Sequence, residues 1–202
     1  GGWNVSAFSP DKKSAVVAQY LSVTNVDMSL LDLATGKMTP IGDHTKDIAI
    51  GGTSFAPDGS LWVTSDEGSD FQRLGTIDIA TGTFTPRGPA EKWDVDSFDI
   101  SPDGSFIVYQ TNEAGISKLK LLDPKTNKVR VVDGLPAGII GGIEVSEWGE
   151  IGVTFTSARS AADAYSVDPK TLKVTRWTDS ETGGLDVSKN VEPELLTVKS
   201  FD

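Results

Sequence analysis

Two short turn motifs recur along this chain with a common period. The first reads Ser9-Pro10-Asp11-Lys12, Ala56-Pro57-Asp58-Gly59, Ser101-Pro102-Asp103-Gly104 and Ser146-Glu147-Trp148-Gly149, at spacings of 47, 45 and 45. The second, out of phase with it, reads Asp32-Leu33-Ala34-Thr35-Gly36, Asp78-Ile79-Ala80-Thr81-Gly82, Asp123-Pro124-Lys125-Thr126-Asn127 and Asp168-Pro169-Lys170-Thr171-Leu172, at spacings of 46, 45 and 45. Two independent motifs holding one period through four copies point to a repeat architecture.

Each motif has a mechanical reading. Pro presets φ, Asp bonds nearby backbone and Gly takes positive φ, so Pro-Asp-Gly fits a tight turn. Asp-x-x-Thr-Gly is a second turn with Gly or Asn at the left-handed position, a preference from which Leu172 departs. Short β segments lie between the turns. In the third repeat they are expected at 97–101, 105–111, 118–123 and 128–133, with Phe106-Ile107-Val108-Tyr109 and Val129-Arg130-Val131-Val132 carrying the β-branched and aromatic enrichment of strands. Four strands in about 45 residues match one blade of a β-propeller.

The expected fold is therefore all-β: four four-stranded antiparallel blades, at about 2–47, 48–91, 92–137 and 138–183, forming a partial, open propeller. Residues 1–183 would make up the blades, and 184–202 a linker in which Val191-Glu192-Pro193-Glu194 breaks the repeat. Gly1-Gly2-Trp3, Gly51-Gly52 and Gly141-Gly142 open blades, where glycine suits the crowded innermost strand. An incomplete ring leaves two blade faces uncovered, so self-association through them is expected.

Composition narrows the function. The net charge of −11 opposes a phosphate-binding surface or an anionic membrane face, so neither nucleic acid nor membrane is an expected partner. With no Cys and one His, zinc sites built from those ligands are excluded. The acidic clusters at 66–70 and 94–99 lack the twelve-residue calcium-loop pattern, and no phosphate-cradling glycine loop occurs, so no metal or cofactor is expected. A hydrolase elbow of the form Gly-x-Ser-x-Gly is absent, and the lone His44 sits in an acidic loop. No catalytic residue is assigned.

In a four-stranded meander both motif turns share one end of the blade. The other end carries the variable loops, expected at 42–52, 65–73, 110–117 and 155–163. Recognition tends to live on such loops. The candidates for a substrate channel or rim are Trp93, Arg73 and Arg159, while Trp62 and Trp177 lie in strand patterns and are expected in the core.

Ser101-Pro102-Asp103-Gly104-Ser105 followed by Phe106-Ile107-Val108-Tyr109 resembles the propeller repeats of Tol-type proteins and, equally, those of the prolyl oligopeptidase family of serine peptidases. The stretch from Thr64 to Leu74 resembles the acylaminoacyl-peptidase branch of that family. The tail from Val191 to Asp202 resembles the junction at which its propeller hands over to an α/β-hydrolase domain. The resemblance implies a propeller of more blades than four, a catalytic Ser, Asp and His beyond Asp202, and a gating role towards short peptides. The implied partners are that hydrolase domain and a peptide substrate. The alternatives are a Tol-like protein-binding module and, third, a propeller lyase or glycosidase.

Overall fold

A computed structural model describes residues 2–201; the expected positions of Gly1 and Asp202 lie outside the described residues. Blade 1 is built from β1 (Gly2–Phe8), β2 (Ser14–Ser22), β3 (Asn25–Asp32) and β4 (Met38–Ile41). Blade 2 follows with β5 (Ile50–Phe55), β6 (Leu61–Ser65), β7 (Arg73–Ile77) and β8 (Phe84–Pro86). Blade 3 comprises β9 (Val95–Ile100), β10 (Ile107–Glu113), β11 (Ile116–Leu122) and β12 (Val129–Val131). Blade 4 comprises β13 (Ile139–Val145), β14 (Ile151–Ser157), β15 (Ser160–Val167) and β16 (Val174–Arg176). Every sheet is an antiparallel meander in sequence order, and the inner strand of each blade packs against that of the next. The open arc of blades expected from the repeat is thus observed.

The motif turns explain why the strands reverse where they do. In the first motif the Asp side chain accepts the backbone N–H two residues on, from Lys13 (3.0 Å), Ser60 (3.0 Å) and Ser105 (3.0 Å). Blade 4 has Glu147-Trp148 in place of Pro-Asp, yet its turn closes through Gly149 N–H on the Ser146 carbonyl (2.9 Å) and Glu150 N–H on the Ser146 hydroxyl (2.9 Å). In this copy the Ser146 hydroxyl and the left-handed Gly149 (φ 90°) do the work of the missing Asp. In the second motif Thr35, Thr81, Thr126 and Thr171 each donate a backbone N–H to the opening carboxylate. Those bonds hold the carboxyls of Asp32, Asp78 and Asp168 below the usual range, and the Thr126 hydroxyl, ahead of the backbone N–H groups, does the same for Asp123.

Leu172 keeps the left-handed conformation of its glycine counterparts (φ 60°) and packs its side chain against the core between blades 3 and 4. Lys12 stands at the glycine position of the first motif with φ 60°, exposed and without such packing. Lys12→Gly is expected to stabilise the chain by about 0.5 kcal/mol, the relief of left-handed strain less the added chain entropy. A denaturant titration checks this, and an unchanged or lower midpoint counts against it. Gly82, in contrast, tolerates no side chain. Its φ is +71°, and a Cβ there would lie 2.1 Å from the Cα of Gly42 in the preceding blade.

The core runs between blades, so both faces of an interior blade are buried. Val16, Ala18 and Met28 meet Leu61, Val63 and Ile77 between blades 1 and 2. Trp62 and Leu74 meet Ile107, Tyr109 and Leu122 between blades 2 and 3. Val108, Leu119 and Leu121 meet Ile151, Val153, Phe155 and Tyr165 between blades 3 and 4. At the turn end, arginines from one blade clamp the second motif of the next. Arg87 donates to Asn127 Oδ1 (3.0 Å) and to the Pro124 carbonyl, with its guanidinium 5.5 Å from the Trp62 ring centre. Arg130 repeats the clamp one blade on, donating to the carbonyls of Pro169 (2.6 Å) and Lys170 (3.2 Å).

Trp62 is buried as expected, but Trp177 is 67% exposed. It follows β16 and donates its indole N–H to Ser166 (2.9 Å) on a face with no blade beyond it. A strand pattern places it on a sheet face; burial would need a neighbouring blade.

Candidate functional site

The end of the arc opposite the motif turns carries the connections that differ from blade to blade. Two of the loops expected there are largely strand. The segment 110–117 is a hairpin turning tightly at Ala114-Gly115, with Ala114 at φ 55° and Gly115 at φ 85°, and 155–163 turns at Ala158-Arg159. Cross-strand pairing continues almost to each tip, because a two-residue connection suffices for antiparallel neighbours. The irregular connections are 66–72 within blade 2 and the crossovers 42–49, 87–94 and 132–138.

On this end the segments that carry Arg73 and Trp93 are hydrogen-bonded to one another. Gln72 N–H donates to Asp94 Oδ1 (2.7 Å), and Val95 N–H donates to the Gln72 carbonyl (2.9 Å). The loop ending at Arg73 is thereby sewn to the crossover carrying Trp93. Trp93 is 40% exposed. Arg73 donates through Nη2 to the Glu67 carbonyl (3.0 Å), and its Nε is buried with no hydrogen-bond partner. Arg159 lies on the same end in blade 4, apart from the other two. It pairs with Glu192 (3.0 Å), while Asn190 donates to the Ala158 carbonyl (2.8 Å).

Those contacts lay the tail across the loop end of blade 4. Its start is fixed by Asp163, a buried carboxylate on β15. Asp163 accepts from the hydroxyls of Ser160 and Thr178 (2.9 Å for the latter), from Arg176 (2.6 Å) and from Ser180 N–H (2.9 Å). The Ser160 hydroxyl first, then Thr178, Arg176 and Ser180, hold this carboxyl far below the usual range. Among the described residues of the tail, regular structure is confined to a 3-10 turn at Val187–Lys189.

Two residues before Trp93, at Glu91, the crossover is held by a charge network not foreseen from sequence. Lys120, on β11, bonds to Glu91 (2.9 Å) and Glu113 (2.8 Å), and its side chain is 9% exposed. Tyr109 donates to the other Glu91 oxygen (3.0 Å), and Thr111 donates to Glu113 (3.0 Å). The Lys120 ammonium draws the Glu113 carboxyl below its usual range, whereas burial and the facing Glu91 drive the Tyr109 phenol far up. The signal lay in the alternation Lys118-Leu119-Lys120-Leu121, which reads as a polar face. In an interior blade that face is covered too, so its lysine needs partners.

The acidic clusters act as backbone acceptors. Asp66 accepts from Ala49 N–H (2.9 Å), and Asp99 takes Ile100 N–H (2.8 Å) and, from blade 4, Val145 N–H (2.7 Å). Burial, reinforced by Asp94, pushes Asp96 above the usual carboxylate range. His44 is partly buried, donating through Nε2 to the Met28 carbonyl (2.8 Å) with Nδ1 3.6 Å from Asp27. Among the described residues no group of three or more His, Cys, Asp or Glu side chains is arranged to hold a metal ion.

No protein-family model matches the chain. Dipeptidyl-peptidase 5 of Porphyromonas gingivalis is 27% identical over 136 residues, 65% of this chain and 19% of that protein. The chain thus spans about a fifth of the length of the curated relative it matches. Among solved structures, puromycin hydrolase superposes on 98% of this chain and 32% of its own at a TM-score of 0.82 and 20% identity. TolB from Acinetobacter baumannii superposes on 90% of this chain and 44% of its own at 0.68 and 19% identity. A prolyl endopeptidase matches 85% of this chain and 25% of its own at 0.72 and 18% identity. These are the two groups that the sequence resembles, and the likeness establishes the propeller fold.

Proposed function

We propose that the chain is a non-catalytic arc of propeller blades from a serine peptidase of the prolyl oligopeptidase family, gating or positioning short peptides for an α/β-hydrolase domain of the same polypeptide. The observation that carries this reading is the superposition on puromycin hydrolase, which at 98% coverage takes in nearly all of the irregular tail as well as the blades. A propeller alone would account for the blades and not for the path of the linker. The end bearing Arg73, Trp93 and the tail is the one the reading assigns to substrate and hydrolase domain. There Trp93 offers an exposed aromatic surface, while Arg73 is held against the Glu67 carbonyl with its Nε buried.

The test is to read the gene beyond the codon for Asp202. An in-frame continuation encoding Gly-x-Ser-x-Gly is expected; a stop codon at that point overturns the reading. The 202-residue chain itself is expected to show no peptide turnover and no labelling by a fluorophosphonate, and labelling would contradict the non-catalytic assignment. A second reading, a Tol-like protein-binding module, is favoured by the TolB superposition, and a stop codon after Asp202 is the result it expects.

A further inference from the structure

The first-motif turn of blade 4 carries a side chain that its fold does not require. Trp148 stands where blades 2 and 3 have Asp58 and Asp103, and the turn closes through Ser146 and Gly149 without using the ring. The ring is 81% exposed. Asp58 and Asp103, in blades flanked on both sides, are exposed as well, so the position itself faces solvent. Trp148 also lines a cleft of about 660 Å³ between blades 3 and 4, with Pro102 and Phe106 of blade 3 on its other side. Both walls are therefore blades of this chain. The carboxylates on the cleft are those of Asp103, Glu147, Glu150 and Asp168, against the cations Arg130 and Lys170. Arg130 is already bound to the carbonyls of Pro169 and Lys170, and the Ser105 hydroxyl and N–H hold the Asp103 carboxyl down to about 2. The cleft between blades 2 and 3 is of similar size, about 760 Å³, but its tryptophan, Trp62, is buried and covered by Arg87.

We infer that the cleft between blades 3 and 4 is a docking site for an extended segment of a partner protein that alternates cationic and apolar side chains. Charge selects the sign of the occupant: carboxylates outnumber cations on the cleft, and the whole chain carries −11. Trp148 selects its chemistry. A guanidinium or ammonium over the exposed indole is attracted by the negative face of the ring, whereas an anion is repelled by the ring face and the carboxylates together. In an extended strand successive side chains point to opposite sides. Cations on one side then meet Glu147, Trp148 and Glu150 of blade 4, while apolar side chains on the other meet Pro102 and Phe106 of blade 3. An aromatic anchor of this kind is where binding energy concentrates in an interface. The cleft lies at the turn end, opposite the end that carries Arg73, Trp93 and the tail, so the inference does not depend on the peptidase reading.

The experiment is isothermal titration of the 202-residue chain with the peptide acetyl-Arg-Leu-Arg-Leu-Arg-amide up to about 1 mM, beside its charge-reversed counterpart acetyl-Glu-Leu-Glu-Leu-Glu-amide. The basic peptide is expected to saturate a single site and the acidic one to give no binding. Trp148→Ala should weaken binding about 10-fold or more, and Glu147→Gln combined with Glu150→Gln about 5-fold or more. Both variants should keep the β-sheet circular-dichroism spectrum, since none of the three side chains makes the hydrogen bonds that close the turn. Trp177→Ala, at another exposed tryptophan of blade 4, should leave binding unchanged. Binding that survives Trp148→Ala, saturation by several peptides per chain, equal binding of the acidic peptide, or no binding of the basic peptide over the whole titration would each overturn the inference.

Discussion

Truncating Phe155 to alanine is expected to destabilise the chain by about 4 kcal/mol and to lower its thermal midpoint by roughly 10 °C. The ring is fully buried on β14, edge-on to Tyr165 at 5.7 Å between centres and 75° between planes. It also lies over Gly138, where an added Cβ would come within 2.5 Å of the ring. Removing it opens a cavity that the sheets cannot collapse, since their spacing is set by the rest of the core between blades 3 and 4. Phe155→Leu keeps most of the volume and should cost about 1.5 kcal/mol. Urea titrations of both variants check the pair, and a loss below about 2 kcal/mol for Phe155→Ala would show that the two blades separate easily.

Lys120→Met should cost about 3 kcal/mol, because it leaves Glu91 and Glu113 facing one another without their shared cation. The triple variant Lys120→Met, Glu91→Gln, Glu113→Gln should recover a large part of that loss, since no uncompensated charge remains buried. The pH dependence gives an independent sign. In the native chain Glu113 is held below its ordinary value by Lys120, so its contribution is complete above that ordinary value and lost as the pH falls through the lower folded one. Native stability should therefore decline on acidification below about pH 4.3. In Lys120→Met the unpaired carboxylates favour protonation, so stability should rise as the pH falls from 7 towards 5. Parallel pH profiles for the two proteins would refute the role given to the network.

The turn chemistry was legible because it is local. An Asp that accepts an N–H two or three residues on, and a left-handed position after it, leave their mark within five residues of chain. Blade 4 shows the margin of that reading: Glu147-Trp148 departs from the motif, yet the Ser146 hydroxyl and Gly149 close the same turn. Loop lengths were less legible. Asn112-Glu113-Ala114-Gly115 looks like a loop by composition and is in fact the tip of a long hairpin, because the register of β10 and β11 carries pairing through to Glu113 and Ile116. The candidate residues separated in the same way. The segments carrying Arg73 and Trp93 are joined by hydrogen bonds of Gln72 to Asp94 and Val95, more than twenty positions away, and Arg159 is taken up by Glu192 of the tail.

From the amino-acid order alone came the period, the four meanders and the end of each blade at which its turns lie, since hairpin reversals are written in neighbouring residues. What blade packing added is the environment of every face. Alternation says which side chains share a face; whether that face meets protein or water depends on the next blade. Hence Lys120 is buried and paired, Trp177 is exposed, and the apolar strip of Trp3, Val5 and Phe8 is open, although each sits in an ordinary strand pattern.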